Sequence, residues 1–296
     1  MKIRIGTRES ALAIAQTELV ECGLKRIEQA FEIERILVKT KGDLILDRPL
    51  HEILDKGLFV KALDDKLLSG EIDLAVHSMK DMPTDFPDKL SIIPVLKREE
   101  PRDALILRRE KHSIEELKNG ARIGTSSKRR AYQLMKMRPD LEIVSLRGNI
   151  HTRLEKMREE DLDGIVLAAA GLYRVGLKDK ISQLFDVDEI VPAPTQGILC
   201  ASFRTADEVI KNSLYKLCDN ETVICANIER LLLKAINGGC HTPFGSYCEL
   251  FGEEFKLYAA YGDCDGKRIV RGSIVEKIEN APGAIITFAQ KLVEMR

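Results

Sequence analysis

The chain has 296 residues, with 46 lysines and arginines against 47 acidic residues, a net charge of −1, 44% apolar content and 5% aromatic content. The near-neutral balance argues against bulk nucleic-acid binding, which normally shows as a strongly basic domain, and the few aromatics leave little material for base stacking. The longest apolar and glycine run, Gly164 to Leu172, falls far short of the ~18–20 residues of a membrane helix, and the patch Ala11 to Ala15 is cut off by Gln16, too short for a signal-peptide core, so a cytoplasmic protein is expected.

Lys2 to Ile5 reads as a short strand, followed by a glycine turn with hydroxyls, Gly6-Thr7-Arg8-Glu9-Ser10, and a helix with Leu12, Ala15, Leu19 and Cys22 at helical spacing. Such a junction points backbone N–H groups at an anion. Ile33 to Val38 is the next strand. Gly42 to Gly57, broken by Pro49, is long and polar enough to be a lid. Phe59, Leu63 and Leu67 mark one face of a helix that Gly70 closes. The stretch Asp73 to Pro83 then gives a buried strand that stops abruptly at a polar rim, Lys80-Asp81, where parallel strands present their carboxyl ends to ligands.

From Ala121 the pattern repeats. Arg122-Ile123-Gly124-Thr125 echoes Arg4-Ile5-Gly6-Thr7 and runs into a helix with Ala131, Leu134 and Met135; Glu142 to Leu146 echoes Glu34 to Val38, and Asp163 to Ala169 echoes Asp73 to Val76. Two similar α/β domains in tandem, each with a parallel sheet, are expected, with a cleft between them. Segments 91–107 and 186–204 are candidate crossing strands that form a hinge.

Past residue 205 a helix over Val209 to Leu217 is followed by another on which Ile224, Ile228, Leu231, Leu232 and Ala235 share a face, ending at Asn237-Gly238-Gly239. Phe255 to Tyr261 and Ile269 to Val275 read as strands joined by a turn with Asp265-Gly266, and Ile285, Ile286, Ala289, Leu292 and Val293 as a final amphipathic helix. This is a small α+β domain, and Cys240 opens its first loop. The seven cysteines lack paired spacing, so free thiols and no structural metal are expected.

Ser127-Lys128-Arg129-Arg130 places three cations in a first helical turn, where the macrodipole penalises each by about 0.3–1 kcal/mol, so folding alone would not choose them. Arg147-Gly148-Asn149-Ile150-His151-Thr152-Arg153 lies at a second strand-to-helix junction, and Arg174 follows the third strand. With Arg8 these guanidinium groups suit bidentate capture of carboxylates or phosphates.

Taken together, Ile5 to Ala13, Lys56-Gly57-Leu58-Phe59, His77-Ser78-Met79-Lys80-Asp81-Met82-Pro83, Gly124 to Arg130, Arg147-Gly148-Asn149 with Arg153, Gln196-Gly197 and Gly238-Gly239-Cys240 resemble the porphobilinogen deaminase family, in order and over essentially the whole chain. The resemblance implies an enzyme of haem and tetrapyrrole synthesis that joins four porphobilinogen units head to tail into hydroxymethylbilane, releasing ammonia. It implies a covalent dipyrromethane cofactor, held through a thioether to Cys240. The implied fold is two periplasmic-binding-protein-like α/β domains joined by a hinge, residues 1–96 with 196–214 and residues 97–195, plus a C-terminal α+β domain, 215–296, with a three-stranded antiparallel sheet and the cofactor attachment. The expected partner is porphobilinogen alone, with no nucleic acid, membrane or metal, on a monomer.

By the same resemblance, Asp81 is the catalytic carboxylate. It bonds to pyrrole N–H groups and stabilises the cationic azafulvene formed when the aminomethyl nitrogen leaves. A carboxylate about 4 Å from that cation, at an effective dielectric near 20, contributes roughly 4 kcal/mol. Lys80, Asp81, Ser126, Ser127, Arg129, Arg130, Arg147 and Gly148 are implied at the cofactor, and Arg8, Ser10, Gln16, Ser78, Arg147, Arg153, Arg174 and Gln196 at the substrate, with Lys56 reaching in from the lid. The sequence departs from the family pattern at Asp55 and Thr195, where glycine is frequent, at Lys128, where leucine is common, at Ser202, where glutamate is usual, and at His241-Thr242, where Gln-Val is frequent. The competing class is a two-domain anion receptor or effector-sensing module without chemistry, which would not need Cys240.

Overall fold

A computed structural model describes residues 1–39, 60–108, 112–236, 243–263 and 268–296. The expected lid Gly42 to Gly57 with Asp55 and Lys56, residue Phe59, the Asn237-Gly238-Gly239-Cys240 loop with His241 and Thr242, and the Asp265-Gly266 turn lie outside these residues. In chain order the elements are β1 (Lys2–Arg8), α1 (Ala11–Ile27), β2 (Glu32–Val38), α2 (Lys61–Leu68), β3 (Leu74–Ser78), β4 (Leu90–Val95), β5 (Asp103–Leu107), β6 (Arg122–Gly124), α3 (Lys128–Met137), β7 (Glu142–Val144), α4 (Ile150–Glu159), β8 (Gly164–Ala168), α5 (Ala169–Arg174), β9 (Gln183–Leu184), β10 (Leu199–Arg204), α6 (Glu208–Tyr215), α7 (Asn220–Ala235), β11 (Phe244–Phe251), β12 (Glu254–Gly262), β13 (Ile269–Lys277) and α8 (Ala281–Met295).

The chain forms two units, Met1–Glu99 with Ile198–Ile224, and Glu100–Gly197 with Cys225–Arg296. The C-terminal sheet thus groups with the second α/β body, and residues 215–224 with the first.

In the first unit the strand order is β2-β1-β3-β10-β4. β1 pairs parallel with β2 and β3, but β10 pairs antiparallel with both β3 and β4, so the sheet is mixed rather than wholly parallel. The returning chain supplies its strand from the opposite direction, a relation that local periodicity cannot reveal. Ile3, Ile5, Leu74, Val76, Val95 and Phe203 fill one face against Val20 and Leu24 of α1; each fully buried side chain of this size contributes about 1.5–3 kcal/mol.

Two local expectations are corrected here. β1 continues through Arg8, and Gly6 lies within it rather than in a turn; a Cβ there would meet Ile72 Cδ1 at 2.4 Å and Leu63 Cδ2 at 2.9 Å, so glycine admits close packing of α2. On α1 the inward face is Gln16, Thr17, Val20, Gly23 and Leu24, while Leu19 and Cys22 point to solvent. Polar residues that bond inward rotated the stripe away from the one that hydrophobicity suggests.

The second unit repeats the plan with order β7-β6-β8-β5-β9, in which β6 pairs parallel with β7 and β8 while β5 runs antiparallel to β8. The duplication extends to single bonds. Arg4 N–H donates to Asp73 Oδ2 and Arg122 N–H to Asp163 Oδ2, each at 2.9 Å. β11, β12 and β13 form the three-stranded antiparallel sheet, against which α8 packs through Ile285, Phe288, Ala289 and Leu292. Ile286 and Val293, expected on that face, are exposed, and Phe288 takes their place. Ala235, expected on the inward face of α7, is exposed as well.

Candidate functional site

In the first unit the parallel run of β1 and β3 brings Arg8 and Ser78 to one sheet edge. A one-turn 3-10 helix, Met79–Asp81, follows β3 directly. Met79 and Met82 are buried and Met79 N–H donates to Ile198 O, so the turn is anchored on both sides and its intervening pair, Lys80 and Asp81, is held outward. A pocket of about 70 Å³ is lined there by Arg8, Ser10, Gln16, His77, Ser78 and Asp81, among others. Ser10 caps α1 by accepting from Ala13 N–H, and Gln16 Nε2 donates to Ser78 Oγ at 2.8 Å.

His77, on the same strand, is buried with Nε2 3.0 Å from Ser202 Oγ on β10. Burial, and secondarily the charge of Arg8, push its pKa down to about 4, so the imidazole is neutral at physiological pH. Ser202 is thus a hydrogen-bonding partner for a neutral ring.

In the second unit the carboxyl ends of β6, β7 and β8 share one edge. Ser127 caps α3 by accepting from Arg130 N–H, and the exposed Ser126 donates from Oγ to Leu146 O. The basic run of α3 divides: Lys128 is exposed, whereas Arg129 and Arg130 are each 6% exposed and turn onto Asp103, which is fully buried. Arg129 Nη1 lies 2.6 Å from Asp103 Oδ2, and Arg130 Nη2 lies 2.8 Å from Oδ1. Two guanidinium groups share one carboxylate, leaving an excess positive charge. Burial would raise the Asp103 pKa, but the two arginines overcome it and hold the acid far below the usual carboxylate range.

Gln196 is also buried, donating to Asp103 Oδ1 at 2.9 Å and to Pro101 O at 2.7 Å. Arg174 Nη2 donates to Gly197 O at 2.6 Å. Arg147 and Gly148 occupy the turn between β7 and α4; Gly148 has φ 122°, and a Cβ there would meet Thr152 Cβ at 2.7 Å, so only glycine fits. Asn149 caps α4 by accepting from Thr152 N–H, which sets Arg153 in the first turn.

The structure thus brings Arg8, Ser10, Gln16, Ser78 and Asp81 around one pocket, and Ser126, Ser127, Arg129, Arg130, Arg147, Gly148, Arg153 and Arg174 to the strand ends of the second unit. Sequence reading missed Asp103 and Glu229, and it named His77 and Ser202 without pairing them. Two signals were present: Asp103 heads the wholly apolar Ala104-Leu105-Ile106-Leu107, and Glu229 interrupts the inward face of α7 between Cys225 and Leu232.

Cationic side chains and capped helix starts thus gather at the ends of parallel strands in an α/β protein, with an acid at one of them. Comparison with known proteins makes this specific. Residues 3–212 match the family model described as porphobilinogen deaminase, dipyromethane cofactor binding domain, and residues 223–294 match the porphobilinogen deaminase C-terminal domain. The porphobilinogen deaminase of Clostridioides difficile (strain 630) is 47% identical over 274 residues, covering 93% of this chain and 91% of its own. That of Clostridium novyi (strain NT) is 44% identical over 284 residues, covering 95% of each. Among solved structures, the methionine-binding protein MetQ covers 75% of this chain and 91% of its own, at 14% identity and a TM-score of 0.47. The chain belongs to the porphobilinogen deaminase family.

Proposed function

We propose that this chain joins four porphobilinogen units head to tail into hydroxymethylbilane, with release of ammonia, on a covalent dipyrromethane cofactor. It is a transferase of tetrapyrrole synthesis. The observation that carries the detailed reading is the meeting of Asp81 and Arg8 in one pocket at the carboxyl ends of β1 and β3.

Acetate and propionate side chains make both cofactor and substrate polyanionic. The donor set fits them: two buried arginines share the single carboxylate of Asp103, beside the capped N-termini of α3 and α4. In this reading Lys80, Asp81, Ser126, Ser127, Arg147 and Gly148 contact the cofactor, while Arg129 and Arg130 supply the fixed positive field behind it. When bound through Cys240, the cofactor supplies the nucleophilic pyrrole carbon that starts the chain. Arg8, Ser10, Gln16, Ser78, Arg153, Arg174 and Lys56 hold and orient the substrate side chains, and Gln196 acts through Asp103. Asp81 accepts hydrogen bonds from pyrrole N–H groups and stabilises the positive charge that develops as ammonia departs. His77, neutral and buried, adds no competing charge beside that acid.

In this reading residues 1–96 with 196–214, 97–195 and 215–296 act as three domains; the two family models, 3–212 and 223–294, bear only on the boundary ahead of the third. The working protein is a cytoplasmic monomer without metal; among the described residues no helix is long and apolar enough to cross a membrane. Intact mass spectrometry before and after adding porphobilinogen tests the function. The expected result is a dipyrromethane mass localised to the Cys240 peptide, with stepwise increments on substrate addition. A protein with neither adduct nor increments is the anion-binding module without chemistry.

A further inference from the structure

Glu229, on α7, is fully buried. Its Oε2 accepts a hydrogen bond from the backbone N–H of Thr195 at 2.5 Å, and its Oε1 accepts one from that of Cys248 on β11 at 2.7 Å. Thr195 is 1% exposed and sits at φ 60°, the left-handed region that a β-branched residue rarely occupies. Such a conformation persists only where its surroundings impose it.

The two residues after Thr195 give the bend its importance. The side chain of Gln196 reaches Asp103 Oδ1, the oxygen that also receives Arg130, and the carbonyl of Gly197 receives Arg174. A different φ at Thr195 would redirect both. The bend therefore determines whether Gln196 reaches the carboxylate on which Arg129 and Arg130 converge.

We propose that Glu229 is a positioning residue for the reaction: by gripping the strained Thr195 peptide it keeps Gln196 on Asp103 and Gly197 O on Arg174, and so fixes the guanidinium groups that handle anionic side chains. The inference rests on the role assigned above to those arginines. Glu229 itself touches neither substrate nor cofactor. Its carboxylate is suited to the task because both its oxygens accept, and both face N–H donors. An amide in its place would turn an NH₂ group against one of them.

A mutant cycle on the holoenzyme tests this. Glu229→Gln is expected to lower kcat about tenfold and to speed amide exchange over residues 193–198 and 101–105. Thr195→Gly relieves the left-handed strain, so in that background Glu229→Gln is expected to change kcat by less than twofold. In the double variant Thr195→Gly is expected to recover most of the lost kcat and to slow the exchange again. Equal losses in the single Glu229→Gln and double variants, or an unchanged kcat in Glu229→Gln, would overturn the proposal. Glu229→Asp, one methylene shorter, supplies the same cycle if Glu229→Gln does not fold. The stepwise mass increments of the parent protein report on the proposed function independently, and they persist whichever way the cycle falls.

Discussion

Asp103 Oδ2 lies 2.6 Å from Arg129 Nη1, and neither group has more than marginal access to solvent. Arg130 completes the triad through the other carboxylate oxygen. Removing the acid strands two buried cations, so Asp103→Asn is expected to destabilise the fold by about 3–5 kcal/mol, the cost of breaking a buried pair from one side. Denaturant titration of wild type and variant measures it; a loss below about 1 kcal/mol, the level of a surface ion pair, would contradict the buried arrangement.

Asp81 is exposed and held outward by a turn whose anchors are the flanking methionines, so its carboxylate is dispensable for folding. Asp81→Asn is expected to retain its melting temperature and its cofactor mass but to lose about 10²- to 10³-fold in kcat, the range for deleting one electrostatic stabiliser. Steady-state turnover with porphobilinogen decides the matter, and near-parental turnover would remove Asp81 from the mechanism.

Arg147 sits beside Gly148 in the turn ahead of α4, where its backbone is fixed by the cap and its side chain is only partly buried. Arg147→Leu is expected to stall elongation and to accumulate shorter covalent intermediates, read as a shifted distribution in intact mass spectra. An unchanged distribution would count against a role in holding the growing chain.

His77 gives a pH prediction with a definite sign. Its folded pKa of about 4 lies below the ordinary 6.5, because burial disfavours the imidazolium and Arg8 adds to the effect. Between these values the unfolded chain binds a proton that the folded chain refuses. Stability contributed by this residue is therefore full above pH 6.5 and falls as pH drops toward 4, by up to about 3 kcal/mol. Ser202→Glu, placing a carboxylate where the hydroxyl now meets Nε2, is expected to raise the His77 pKa and flatten the melting temperature between pH 5 and 6.5. A histidine titration by NMR that stayed near 6.5 in the parent protein would refute the assignment.

The duplicated strand-to-helix units were legible because charges bounded the strands and the starts of α1, α3 and α4 carried Ser10, Ser127 and Asn149. Arg129 and Arg130 show where such reading stops. Their position in a first helical turn signalled a purpose beyond folding, but their partner Asp103 is brought to them by an antiparallel strand, and no local spacing encodes that meeting. The rotated face of α1 has a similar cause. Gln16 and Thr17 are buried because each finds a hydrogen-bond acceptor, Ser78 for one and Ala13 O for the other, while Leu19 is left outside. Thr195 appeared only as a departure from glycine, and its φ of 60° gives that departure a physical meaning.

Because Leu199–Arg204 runs down the middle of the first sheet, hydrogen-bonded to β3 on one side and β4 on the other, the N-terminal unit cannot close its sheet until residue 204 is available. On the ribosome, β3 and β4 wait with unpaired edges while the whole intervening α/β body is synthesised and can already assemble. Such edges are templates for association with other chains. The order of synthesis is thus reversed in the order of completion, and a nascent chain cut short before β10 leaves the half bearing Asp81 as the aggregation-prone one.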